Sequence, residues 1–303
     1  MQWYWYIPAL LASLLWAVVV IVDKFVLTHH IRDAYSYQLI QTVTFIPPAL
    51  FLFFCYSSHE SLLLPITIFV LGLIFGLAFI LYNRALLVEE VSRVTPLFYL
   101  IPLFVIILSA LFLGEHLPSK SYIGIGLMVL SAILVSFRWI NIKSLAFSIS
   151  PALFMMLFLD LLMAGKDIIA KFMFSYIDYW TYLFWFVLGN IAIRPFLLLH
   201  PGIKIRFIAD MKSLKPNIYL LCFINSALAW TGFTLYFYSV SMTYVSLVSA
   251  IPSTQPFFVF LFAIVLGVFY PELIKENIDE KSAVVIKGIA AVMVLVGTYL
   301  IVA

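Results

Sequence analysis

The sequence predicts an all-α integral membrane protein of about ten transmembrane helices, built as two inverted five-helix repeats. Three observations predict it. Of the 303 residues, 65% are hydrophobic and only 10% charged, whereas a soluble domain carries roughly 45–50% apolar and about 25% charged residues. So little charge cannot coat a surface for water. The apolar residues also fall into runs long enough to cross a bilayer core of about 30 Å, which takes roughly 20 helical residues. Finally, the second half repeats the first. A strand-built barrel is excluded, because its segments alternate polar and apolar positions and these runs are apolar all round.

Taken in order, the first segment covers 3–27 and opens on Trp3-Tyr4-Trp5-Tyr6. It lacks the basic stretch of a cleaved signal peptide, so it is read as a retained helix whose aromatics suit an interfacial belt. Segment 35–56 holds Gln41 and Pro47-Pro48, segment 62–87 holds Tyr82 and Asn83, and segment 91–113 holds Pro102. Segment 119–138 carries Gly124 and Gly126, and closes the first repeat, 1–140. The second repeat, 146–303, begins with 149–175, which carries Asp160, Lys166, Asp167 and Lys171. It continues with 179–200 (Asn190, Pro195), 216–240 (Asn225, Trp230, Tyr236, Tyr238), 244–269 (Gln255, Pro256) and 283–302. A proline inside a span frees a backbone carbonyl and allows a bend. Connections are short except for the basic stretch Pro201 to Pro216 and the mixed-charge stretch Pro271 to Ser282, and no soluble domain fits between the segments.

The repeat is carried by 77–105 against 231–259. Leu77-Ala78-Phe79-Ile80-Leu81-Tyr82 matches Thr231-Gly232-Phe233-Thr234-Leu235-Tyr236, Val91-Ser92 matches Val245-Ser246, and Pro102 matches Pro256. At nearby offsets Lys24-Phe25 answers Lys171-Phe172, and the Asp33…Tyr37 pattern answers Asp178…Tyr182. Chance likeness between apolar helices explains matched Phe and Val, but not a matched Lys, Asp, Tyr and Pro in one order. Five spans per half is an odd number, so the second copy enters the membrane from the opposite side. Inverted repeats of this kind belong to alternating-access carriers, with the substrate site near the midplane between the halves.

Net charge is +3, which leaves no footprint for nucleic acid. Cys55 and Cys222 lie in apolar stretches and read as free thiols. With ten spans, Lys120, Lys166 and Lys171 fall on one face and the other fourteen of seventeen Lys and Arg residues on the opposite one. By the positive-inside rule both termini are then outside.

An ionisable group at the centre of a span costs at least about 2.5–3.5 kcal/mol and needs a reason. Asp160 is the outstanding case, read either as a cavity carboxylate for a cationic group or a coupling proton, or as a structural hydrogen-bond acceptor. Asp167 and Lys171 are four apart and are expected to pair, which leaves Lys166 to reach Asp160, to bind an anionic substrate or to snorkel. Lys24 and Lys171 are expected to snorkel at helix ends. Trp16, Gln41, Tyr82, Asn83, Trp230 and Gln255, with Asn190, Asn225, Tyr236 and Tyr238, are candidate cavity residues, although packing is the commoner fate of any single aromatic. Glu89 is a second candidate for coupling. Glu89-Glu90 and Glu115-His116 otherwise read as solvated caps at membrane faces. The five histidines have no metal-ligand spacing, and no catalytic site, metal site or cofactor is expected.

Tyr82-x-x-Ala85-Leu86, Val94-x-Pro96-Leu97-x-x-x-x-Pro102, Leu113-Gly114-Glu115 and Ile123-Gly124-Ile125-Gly126 are echoed more loosely by Pro256, Leu266-Gly267, Glu272 and Gly288. In this ordered set the chain resembles the EamA-type branch of the drug/metabolite transporter superfamily. The resemblance implies ten helices, an inverted two-fold, and a central cavity walled largely by helices 1–4 and 6–9. It leaves the substrate open, since relatives carry amino acids, nucleotide sugars, cofactors and drugs. Bacterial relatives are usually drawn with cytoplasmic termini, and the charge count here reads the other way. The expectation is a multi-pass secondary-active transporter of the plasma (inner) membrane, moving a small organic, amino-acid-like or amphipathic metabolite by alternating access. With no nucleotide domain, an ion gradient (a proton first) or exchange drives it. The expected partners are the solute and the lipid bilayer, with the chain a monomer or a homodimer. A flippase for a lipid-linked or phosphorylated sugar is the alternative, in which Lys166 and Arg84 count for more. An intramembrane enzyme or assembly factor would need a reactive constellation, and none is visible.

Overall fold

The computed structural model describes residues 4–31, 33–56, 63–88, 95–136, 151–255, 257–259, 261–262 and 281–302. Among them the regular structure is entirely helical. In chain order the helices are α1 (Tyr6–His29), α2 (Ala34–Thr44), α3 (Ile46–Cys55), α4 (Leu63–Val88), α5 (Ile101–Phe112), α6 (Ser119–Ser136), α7 (Pro151–Met173), α8 (Tyr179–Ile193), α9 (Pro201–Ser213), α10 (Pro216–Met242), α11 (Val245–Ala250) and α12 (Lys281–Val302). Tighter 3-10 turns, Thr95–Leu100, Arg194–Leu199 and Ile251–Thr254, run into α5, out of α8 and out of α11.

Among the described residues, four helices are each long and apolar enough to cross a membrane: α1, most of α4, α8 with its 3-10 extension, and α10. The α2–α3 pair adds a fifth if its 42° bend lies within one span. This is a membrane protein with several apolar helices. The bends sit where the sequence carries proline. Pro47 and Pro48 start α3 directly after the break at Phe45, Pro102 lies in the first turn of α5, and Pro195 opens the 3-10 run after α8. At a helix start the missing N–H of proline is no loss, because that donor has no intrahelical partner.

The repeated aspartates are helix caps. Asp33 accepts the Ser36 N–H at 2.9 Å and opens α2, while Asp178 accepts the Trp180 and Thr181 N–H groups at 3.0 and 3.1 Å and opens α8. The basic stretch 201–215 is no mere connection. It forms α9, whose single buried side chain is Ile203.

Close backbone approach sets the packing. A Cβ on Gly189 of α8 would sit 2.1 Å from the Phe69 carbonyl oxygen, and one on Gly72 of α4 would sit 2.3 Å from that of Phe186. α4 and α8 are therefore in backbone contact, which only glycine permits at these positions. α6 and α12 meet in the same way through Gly124 and Gly297, whose added Cβ atoms would each lie 2.8 Å from the other's carbonyl oxygen. α1 lies along α10, where Gly232 leaves room for the Trp16 indole. α7 packs against α4 and α5.

Candidate functional site

One cluster of buried polar groups forms where α7 meets α4 and α10. α7 supplies Lys166 and Asp167, 5% and 2% exposed. The Lys166 ammonium lies 2.8 Å from the Asp167 carboxylate, and the Tyr236 hydroxyl of α10 donates to the other carboxylate oxygen at 2.7 Å. Aromatic rings surround the ammonium: Phe237 at 4.6 Å, Phe233 at 5.2 Å, Tyr236 at 5.6 Å and Phe75 of α4 at 5.7 Å. Ring faces attract a cation, and more so away from water. The expected Asp167–Lys171 pair does not form. Lys171 instead donates to the Val240 carbonyl at 3.0 Å, one of the last carbonyls of α10, which has no intrahelical donor. Lys171 is thus a helix cap and not a snorkelling end.

Glu115 is the second correction. It is 5% exposed rather than solvated, and its carboxylate accepts the N–H groups of Val245 and Ser246 at 2.9 and 3.1 Å together with the Ser246 hydroxyl. A negative group at the start of α11 and a positive one at the end of α10 both complement the helix dipole. Gly114, at φ +64°, turns the chain after α5 so that Glu115 reaches this position.

Around the ion pair, Trp16 of α1 lies tilted against Tyr236 at 5.6 Å and donates to the Ala229 carbonyl at 3.3 Å, and Gln255 donates to the Trp16 carbonyl at 3.1 Å. Trp230 meets Phe45 edge-on at 4.8 Å and Phe233 at 5.3 Å. Trp16, Lys166, Trp230 and Gln255 are therefore brought into one connected group. Asn83 donates to Gln38 at 3.1 Å, and Gln38 donates to the Gly76 carbonyl at 3.1 Å, so Asn83 ties α2 to α4. Tyr82 is buried against Phe98 at 5.1 Å. Gln41 is half-buried on α2, and its side chain makes no hydrogen bond among the described residues. Glu89 lies outside the described residues.

Asp160 is fully buried, and neither carboxylate oxygen has a hydrogen-bond partner among the described residues. It precedes Asp167 by seven residues, so it shares that residue's face of α7 about 10.5 Å along the axis.

Two functional candidates escaped the sequence reading. Asp23 of α1 is buried and accepts from the Tyr37 hydroxyl and from Asn225 at 2.7 Å, which links α1, α2 and α10. Arg194, 3% exposed at the break after α8, lies over the Phe45 ring at 4.5 Å, with its Nε and Nη1 unpartnered. Arg194 entered the sequence reading only through the count of Lys and Arg residues, and Asp23 did not enter it. The interruption of an apolar run by a full charge was the available signal.

Residues 3–137 match the EamA-like transporter family. A solved structure described only as the crystal structure of a protein is similar over 97% of this chain and 94% of its own, with a TM-score of 0.64 at 16% identity, a likeness of fold alone. No curated protein sequence matches the chain.

Proposed function

Since residues 3–137 match the EamA-like transporter family, part of the drug/metabolite transporter superfamily, we propose that the chain is a secondary-active carrier of a small organic metabolite. It works by alternating access between two inverted five-helix repeats, 1–140 and 146–303, in the plasma (inner) membrane, and it is not an enzyme. The packing supports the repeat. If α1 corresponds to α7, α2–α3 to α8, α4 to α10, α5 to α11 and α6 to α12, each main contact has a mate. The α1–α10 contact answers α7–α4, α4–α8 answers α10–α2, α5–α7 answers the contact of α1 with the turn 251–254, and α6–α12 answers itself.

The observation that carries the reading is Asp160, a carboxylate shut away from water and left without a donor. Such a group is costly in a span and is not explained by the fold. Its repeat mate is Ser13, so the symmetry demands no charge there. We assign it the coupling proton or a cationic group of the solute. Lys166 is already neutralised by Asp167, which favours an organic solute over a phosphorylated headgroup. The test is flux into proteoliposomes from a defined mixture of amino acids and other small metabolites, read by mass spectrometry. Wild-type protein is expected to move at least one component faster than empty vesicles. Asp160→Asn is expected to lose that flux or its pH dependence with an unchanged melting temperature. Normal transport by the variant across the pH range refutes the assignment, and no flux by the wild type refutes the carrier.

A further inference from the structure

On the carrier reading just given, we propose that Arg194 is the receptor for the anionic end of the solute, and that the solute is a small organic monocarboxylate with a flat apolar body. Arg194 stands where α8 gives way to the 3-10 run 194–199, and its guanidinium covers the Phe45 ring at 4.5 Å. Nε and Nη1 are buried and have no acceptor, and no acidic side chain pairs with Arg194 among the described residues. A buried cation without a counter-charge is among the most expensive groups a protein can hold. A ligand anion removes that cost.

The neighbours point the same way. Trp230 meets the same Phe45 ring edge-on at 4.8 Å, and its Nε1 is another buried donor without an acceptor. Two donor side chains from the second half thus flank one aromatic ring from the first, and α3 starts directly after that ring with the positive end of its dipole. The planar guanidinium fork fits a carboxylate through two parallel N–H···O bonds. Phe45, Trp230 and Phe233 supply flat walls for an apolar body. Charge decides between acids. Lys166 is matched by Asp167, so Arg194 is the one cation of this group without a partner among the described residues. One positive charge suits a monoanion better than a phosphate monoester, which carries about −1.5 to −2 at pH 7.

Binding to the full chain in nanodiscs tests this with three probes: phenylacetate, phenylacetamide and phenyl phosphate. Wild-type protein is expected to bind phenylacetate at least about tenfold tighter than its neutral amide, and tighter than the phosphate ester. Arg194→Gln is expected to bring acid and amide within about twofold, and Arg194→Lys, which keeps the charge but loses the fork, to fall between. Equal binding of acid and amide by the wild type, preference for phenyl phosphate, no phenylacetate binding at millimolar concentration, or a preference that survives in Arg194→Gln overturns the proposal. If Arg194→Gln does not fold, the wild-type comparison and Arg194→Lys still decide it. The carrier reading fails separately. An Arg194-dependent acid preference without flux of any metabolite keeps the site and discards the carrier, whereas flux of neutral or cationic solutes alone, untouched by Arg194→Gln, does the reverse.

Discussion

Neighbouring residues on a helix point about 100° apart, so Lys166 and Asp167 make an ion pair only because the lysine bends back within its ring of aromatics. Removing one member leaves the other buried without a counter-charge. Such a change typically costs about 3–5 kcal/mol, whereas replacing both with apolar groups is often neutral. Lys166→Met is therefore expected to lower the melting temperature by several degrees, and Lys166→Met with Asp167→Leu to recover part of the loss once Tyr236→Phe removes the orphaned hydroxyl. A triple variant less stable than Lys166→Met alone contradicts this account. The burial of Lys166 and Asp160 was legible in the sequence, because a charge within an apolar run stands out. The partners were not. The four-residue spacing rule favoured Asp167 with Lys171, and nothing in one strand of sequence says that a carbonyl of α10 will claim Lys171. Glu115 was misread for the same reason, since the N–H groups that bury it lie 130 residues further on.

At the scale of the element, helix positions and their breaks were readable from apolar runs and prolines, and the Asp33 and Asp178 caps follow from the residue type before each run. The helix hidden in 201–213 was not, because its charge disguised it as a connection. Backbone contact between helices was also invisible, since the sequence marks a glycine but not what approaches it. Gly189 and Gly126 separate these cases. A Cβ at Gly189 would strike the Phe69 carbonyl of α4, whereas nothing lies within 4 Å of one at Gly126. Gly189→Ala is expected to part α4 from α8 and destabilise by about 1–3 kcal/mol. Gly126→Ala, free of that clash, is expected to be neutral or to stabilise by up to about 1 kcal/mol through helix propensity. Thermal unfolding of both variants in one detergent checks the contrast, and equal melting temperatures for the two would contradict it.

For the whole molecule, orientation follows from charge. On the proposed ten-span topology, fourteen of the seventeen Lys and Arg residues fall on one face, which predicts α9, with Lys204, Arg206 and Lys212, in the cytoplasm and Ala303 outside. A phosphatase fused at Ala303 is expected to be active, and a fluorescent protein there to be dark; the opposite pair of results reverses the assignment. The main partner of α1 is α10, and the acid after α5 waits for the start of α11. During synthesis these partners emerge long after the residues they join. The leading helices therefore enter the bilayer long before their lateral contacts exist, and the Glu115 carboxylate must bide its time near water or be shielded by the insertion machinery. Completion of the fold thus waits for α10 and α11, and a ribosome that stalls before α10 leaves a product with α1 lacking its main partner, a recognisable substrate for membrane quality control.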